Sequence, residues 1–546
     1  MRWMCALLLM PLALAGQTAG DEAASISGSV ANAVSGEPLR RALIYLRRID
    51  ASPGVTNMQV SKTTYTDAAG RFTLEGIAPG KYRLSAERQG FLTASYGQRT
   101  ATGSGTLMSI DPGQKMTDAA MRMMPHAVIT GRVVDEDGDP LVSATVQVMR
   151  QQYVQGKKQL SGVAGGNTND LGEYRVFGLR PGRYYVTVTS RSNPVLPDGA
   201  DDYVATYFPR TTDPTAAVPV DVTPGAQLRN IDVAMRKQST VTVRGKVTNE
   251  IPPATAAEGS QRLNVMLTPR FSGMGLSNSR GATVTPQNTF ELRGVTPGNY
   301  FLSAVAMGGG KTIATKIPIQ VGNSPLEGLS LVIRAGVPVA GKLKVEGDLP
   351  ANLERVRLSL NPEEMSGVQL APWPSSTLRP DGGFQFEEVG SDRYTVGVGN
   401  LPDGFFVKSI RSANLDVLAA GIEIAGQAPA PLEVLLSANA GQITGAVVDK
   451  AQKPAVQVTV VLVPQDKTRR DKQQYYRTAT TSLTGSFAFK DVIPGEYRVF
   501  AWDEVEFGAW MDPDFLKPVE SRGEAASVAE GARLTVQVNL ISADSQ

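Results

Sequence analysis

The stretch Gly70 to Leu84, GRFTLEGIAPGKYRL, returns four more times along the chain, beginning at Gly172, Asn288, Gly383 and Ser486. In every copy an aromatic residue (Phe72, Tyr174, Phe290, Phe384, Phe487) precedes a tyrosine (Tyr82, Tyr184, Tyr300, Tyr394, Tyr497) by ten positions. Within the copy, Phe72, Leu74 and Ile77 alternate as a half-buried strand requires, with a bulge-like Gly76 before the last. Pro79-Gly80 then reads as a turn, and Tyr82 and Leu84 resume the alternation. The spacing predicts a β-hairpin. The fourth copy has Ser391-Asp392 in place of Pro-Gly, which predicts a turn built differently.

A second signature lies upstream of each copy: an apolar residue, any residue, then glycine. The glycines are Gly28, Gly131, Gly245, Gly341 and Gly445, about 100 residues apart. That period is too long for a solenoid and fits tandem β-sandwiches. Ile26 to Val30, then Ala42, Ile44 and Leu46, read as the first two strands of unit one. Ile129 to Val134, then Ala144, Val146 and Val148, repeat them in unit two. The turns between are Ser35-Gly36-Glu37-Pro38 and Asp137-Gly138-Asp139-Pro140. Closing runs such as Leu329 to Ile333 and Leu534 to Leu540 bring each unit to six to eight strands, enough for two packed sheets. Long 3.6-residue periodicity is absent. The expected organisation is a leader at 1–20 and all-β sandwiches at 25–125, 126–237, 238–335, 336–438 (the degenerate one) and 439–546. The linkers are short, for example Met235-Arg236-Lys237-Gln238, which suggests a stiff rod.

Fifty-five glycines and 35 prolines in 546 residues suit many short strands joined by turns. Fifty-four basic residues against 52 acidic ones leave no basic face for nucleic acid, so none is expected as a partner. Arg2 followed by ALLLMPLALA (6–15) reads as a signal peptide with Ala13-Leu14-Ala15 as a small-x-small cleavage pattern. Cys5 lies in that leader, so the mature chain is expected to hold no thiol and no transmembrane span.

The order apolar-x-Gly-x-Val, Asp-x-x-Gly-x-Pro-Leu, an alternating strand, then Pro-Gly-x-Tyr resembles the carboxypeptidase regulatory-like domain. Its clearest carriers here are Ile129 to Val188 and Ile443 to Val499. The resemblance implies a transthyretin-like sandwich, related to collagen-adhesin B-type and starch-binding-like modules. It implies no activity: in peptidases the domain accompanies a separate zinc catalytic domain. The Lys–Asn crosslinks of the adhesin modules need a first-strand lysine and a last-strand asparagine. Unit three has Lys246 without the asparagine and unit five Asn539 without the lysine, so none is expected.

His126, the only histidine, sits between units one and two and reads as a linker residue. With one histidine, no multi-histidine metal site can be built. Asp135, Glu136, Asp137 and Asp139 around Gly138 are explained by a turn rather than by calcium. No catalytic residues, metal site or cofactor are assigned. Two stretches carry ligand-binding candidates. One is Phe500 to Phe515, FAWDEVEFGAWMDPDF, with Trp502, Trp510 and Phe507 beside Asp503. Aromatic faces and carboxylates together suit sugar rings and their hydroxyls, although a segment capping the last sandwich explains the same composition. The other is Asp201 to Pro209, DDYVATYFP, with Tyr203 and Tyr207, although a flap whose aromatics cover one sheet edge and fill the domain seam explains the same residues. The expected function is that of a non-catalytic, exported structural or binding protein at the cell envelope or outside it. Its partner would be a carbohydrate or an envelope protein. A carbohydrate-binding array is the main alternative, and an accessory to an outer-membrane transporter or peptidase the weaker one.

Overall fold

The computed structural model describes residues 23–49, 60–98, 105–154, 156–190, 201–251, 262–270, 279–308, 311–347, 353–364, 373–482 and 484–542. The leader expected at 1–20 lies outside them. Strands dominate, and the two α-helices among the described residues, Val417–Ala420 and Pro513–Leu516, have four residues each.

One topology occurs five times. The opening strand carries the apolar-x-Gly signature: Ala24–Asn32, Ala127–Val134, Val241–Asn249, Val337–Glu346 and Gly441–Val448. It pairs with the strand of the first aromatic, for example Arg71–Ile77 or Ser486–Val492, antiparallel in each pairing whose register is defined. On its other side it pairs parallel with the closing strand, Lys115–Met123 in repeat one and Arg533–Ile541 in repeat five. A second sheet is built on an antiparallel pair, Leu43–Arg48 with Gly80–Glu87 in repeat one and its counterparts in the others; in repeat five it joins the first where Gly495–Trp502 pairs parallel with Arg533–Ile541.

The expected hairpin is therefore corrected. Arg71–Ile77 and Gly80–Glu87 stand in different sheets, and the Pro-Gly link carries the chain across the sandwich. Phe72, Leu74 and Ile77 come from one sheet and Tyr82, Leu84 and Ala86 from the other, all into one core. Alternation is the same for two strands that pair and two that face each other, so the pattern does not distinguish them. The tyrosine fastens the crossing. Its hydroxyl donates to the carbonyl four residues back: Tyr82 to Ala78 at 2.8 Å, Tyr300 to Thr296 at 2.9 Å, Tyr394 to Gly390 at 3.0 Å and Tyr497 to Ile493 at 2.7 Å. Repeat four keeps this bond although Ser391-Asp392 replaces Pro-Gly, so its crossing is locked as in repeats one, three and five.

The signature glycine has a packing reason. A Cβ on Gly245 or Gly445 would lie 2.7 Å from Cζ of Phe290 or Phe487 and would meet the carbonyl of Leu329 or Val536 on the closing strand. The aromatic ring thus lies over the bare backbone of the opening strand. The bulge read at Gly76 is present, with φ +68° and a register shift opposite it. The equivalent position is Glu388 (φ 51°) in repeat four and Asp491 (φ 54°) in repeat five.

The chain divides into two compact units: residues 1–128, 177–182 and 222–228, and the remainder. Repeat one has its own core within the first unit. In the second unit, repeats three, four and five each have a core. Neighbouring repeats of that unit are tied by charge. Lys316 of repeat three pairs with Asp392 of repeat four at 2.9 Å, and Arg270 with Glu364 at 3.0 Å. Lys408 of repeat four reaches Glu530 of repeat five at 2.9 Å. Repeat two shares a recess with repeat three, lined by Val204, Ala205, Pro269 and Asn299. It also touches repeat five: Tyr153 meets Phe515 edge-on with ring centroids 6.3 Å apart. Repeats two to five thus form a closed circuit of contacts, and the straight file suggested by the short linkers does not hold within this unit.

Candidate functional site

The site is built on the outside of repeat five. Along Gly495–Trp502 the inward residues Tyr497, Val499 and Ala501 fill the sandwich core, which turns Phe500 and Trp502 outward. These two rings stack at 5.2 Å with 12° between planes. An outward apolar pair needs a cover, and the following segment supplies it. It runs through short helical turns at Ala509–Met511, Pro513–Leu516 and Lys517–Arg522; Asp512 caps the second by accepting the Asp514 N–H at 2.9 Å. Val461, Val463, Tyr476, Phe500, Trp502, Trp510, Leu516 and Val519 form a second core beneath it. Arg470 fastens the far end through Glu520 at 2.6 Å.

Two expected stacking rings are thereby corrected. Trp502 has no exposed surface and Trp510 is 4% exposed, so neither offers a face to a ligand. They hold the cap instead. Phe507 is 71% exposed, edge-on against Trp510 at 5.2 Å, and Asp503 is also at the surface.

The outer side of the cap faces the second repeat's strands Thr145–Val154 and Lys157–Asn167. The tip between them closes onto the cap at Gly156, where a Cβ would sit 2.6 Å from the Met511 carbonyl oxygen. Beside this contact lies an open cleft of about 530 Å³. Repeat two lines it with Arg150, Tyr153, Lys158, Arg183 and Tyr185, and repeat five with Glu504, Glu506 and Phe515. Lys158 stands 5.4 Å from the centre of the Tyr153 ring. Its hydrogen bond to Tyr153, then the charges of Asp512 and Glu506, hold its ammonium above the ordinary lysine range. Arg183 pairs with Asp221 at 2.9 Å. One wall is cationic and aromatic, the other acidic. Such a cleft can stack a ring and bond its substituents.

The other candidate stretch does not join this cleft. Tyr207 is 1% exposed, in the two-residue strand Thr206–Tyr207 added to the edge of Gly182–Thr189. Burial pushes its phenol up to about 12. It is corrected to a packing residue. Tyr203 is half-buried with the Lys237 ammonium 5.0 Å over its ring, and Lys237 also bonds Glu136. The part of the surrounding excursion that precedes this stretch, residues 191–200, lies outside the described ones. Asp135 accepts the N–H groups of Asp137 and Asp139 at 3.0 and 2.8 Å, as a turn requires. Among the described residues no cluster is placed to hold a metal ion. His126 donates its backbone N–H to Gly90 O at 2.9 Å.

Arg150, Tyr153, Lys158 and Tyr185 were not singled out from the sequence. The available signal was the doublet Tyr184-Tyr185: on a strand one of the two must point away from the core.

Residues 25–112 and 128–193 match the family model of the carboxypeptidase regulatory-like domain. Residues 441–507 match that of the second β-sandwich domain of BOS complex subunit NOMO1-like proteins. The model of the family read from the sequence thus matches the first two repeats, and the fifth matches the model of a different sandwich. A search among curated proteins finds no match. Among solved structures, the Bacillus anthracis TIE protein aligns at 14% identity over 57% of this chain and about half (51%) of its own, with a TM-score of 0.17. The minor pilin GBS52 of Streptococcus agalactiae aligns at 11% identity over 40% of this chain and 96% of its own, with a TM-score of 0.23. The shaft pilin SpaA of Lactobacillus rhamnosus GG gives 12%, 39%, 97% and 0.19. Likenesses this weak carry no argument about activity or partners. No described helix is long and apolar enough to cross a membrane.

Proposed function

We propose that the chain is an exported, non-catalytic binding protein whose recognition surface is the cleft between repeats two and five, with carbohydrate as the ligand class. One observation carries this reading: Tyr153, Tyr185 and Phe515 bring aromatic rings to the same opening as Glu504 and Glu506. Aromatic faces take the C–H face of a sugar ring and carboxylates accept its hydroxyls. The five modules, with boundaries near 126, 238, 336 and 439, serve in this reading as scaffold, and residues 1–20 as a leader removed on export.

The test is calorimetry of the full-length mature chain against a panel of oligosaccharides. Binding is expected, weakened by about tenfold in Tyr185→Ala and in Glu506→Gln, with the melting temperature unchanged. An absence of heat across neutral and acidic panels would overturn the reading. Sequencing of the secreted protein's N-terminus tests export; a chain that still begins at Met1 contradicts it.

A further inference from the structure

The charges of the cleft are not matched one to one. Arg183 is already engaged by Asp221 at 2.9 Å. Lys158 is held by Tyr153 and faces Glu506 and Asp512. Arg150, midway along Thr145–Val154, is half-buried, and its guanidinium has no hydrogen-bond or ion-pair partner among the described residues. A guanidinium taken partly out of water without a partner is costly, and its planar fork suits a carboxylate in two-point contact. Glu504 and Glu506 across the opening would repel a ligand dense in negative charge, such as a sulfated or phosphorylated chain, more than one carrying a single carboxylate.

We propose that the cleft takes an oligosaccharide containing uronic acid, its ring carboxylate seated on Arg150, its ring against Tyr185 and Tyr153, and its hydroxyls donating to Glu504 and Glu506. The inference rests on the recognition reading above and adds the chemical class of the sugar. A cleft of about 530 Å³ holds a few pyranose units rather than a long chain.

The test needs two probes differing only in charge: a galactose hexamer carrying a single galacturonic acid unit and the same hexamer with that one carboxyl reduced to give galactose. The full-length mature chain should bind the acid form at least about tenfold more tightly, a preference that shrinks as salt rises. Arg150→Gln should bring the ratio of the two affinities to about one, chiefly by weakening the acid form. Equal binding of both hexamers by the unmodified protein overturns the charge assignment and leaves the recognition reading in place. A preference that survives Arg150→Gln overturns the role of Arg150. Failure to bind either hexamer overturns this proposal, and the wider panel then decides the recognition reading by itself.

Discussion

Two residue types do most of the positional work in each sandwich, and both lend themselves to measurement. Gly245 and Gly445 lie under the rings of Phe290 and Phe487, with 2.7 Å left for a Cβ. Neither ring has room to retreat in a filled core, so Gly445→Ala should cost about 2–3 kcal/mol in denaturant unfolding. A loss below about 0.5 kcal/mol would mean that the ring can shift. Tyr497 donates to Ile493 O at 2.7 Å, and burial pushes its phenol up to about 12. Its neutral form is favoured in the fold relative to the unfolded chain, where the phenol titrates near 10. Its contribution is therefore complete below about pH 10 and disappears as pH rises toward 12. Tyr497→Phe should lower stability by about 1 kcal/mol at neutral pH and flatten part of the alkaline decline; an unchanged decline would assign it to other groups. The sequence placed the tyrosine and the glycine correctly as fixed points, because both recur at constant offsets. It did not place Trp502. Two aromatics at i and i+2 show which face of a strand they share, but not that residues more than seven positions later return to cover it.

At the level of the element, strand alternation was legible nearly throughout, and the inward sets of Gly70 to Leu84 are buried as read. Sheet membership was not, because a link between paired strands and a link between facing strands can use the same Pro-Gly. A buried threonine clamp in repeats one, two and five also escaped reading. Thr66 donates to Leu39 O at 2.5 Å and accepts the Ala42 N–H at 2.9 Å; Thr168 and Thr481 do the same with Leu141 and Ala144, and with Ala455 and Val458. Single polar residues between strands give no periodic signal. The element most open to test is the tip joining Thr145–Val154 to Lys157–Asn167. Gly156 has φ +75° and abuts the Met511 carbonyl, so Gly156→Val is strained and overfilled at once. It should speed hydrogen exchange in 150–160 and 505–516 by about tenfold or more while leaving the core strands of repeat five protected. Unaltered exchange in 505–516 would show that the tip and the cap do not depend on each other.

Across the second unit, the repeats are joined by ion pairs of unequal shelter. Lys316 and Asp392 have side chains only 18% and 22% exposed, whereas Arg270 and Glu364 are 45% and 55% exposed. An exposed pair contributes little, about 0–1 kcal/mol, and is screened by salt. Lys316→Met should therefore loosen repeats three and four more than Arg270→Met does, seen as a lowered or split calorimetric transition. Equal effects would mean that shelter does not set the strength of these joints. The sequence offered the count and order of repeats through their period. It could not offer which repeats touch, since contact between repeats two and five depends on surfaces some 350 residues apart.

That circuit bears on how the second unit tolerates a break. In an open row, one severed peptide bond sets a piece free. Where each member is gripped from two sides, a nick between repeats three and four leaves both fragments anchored by the remaining joints, and release requires those joints to open together.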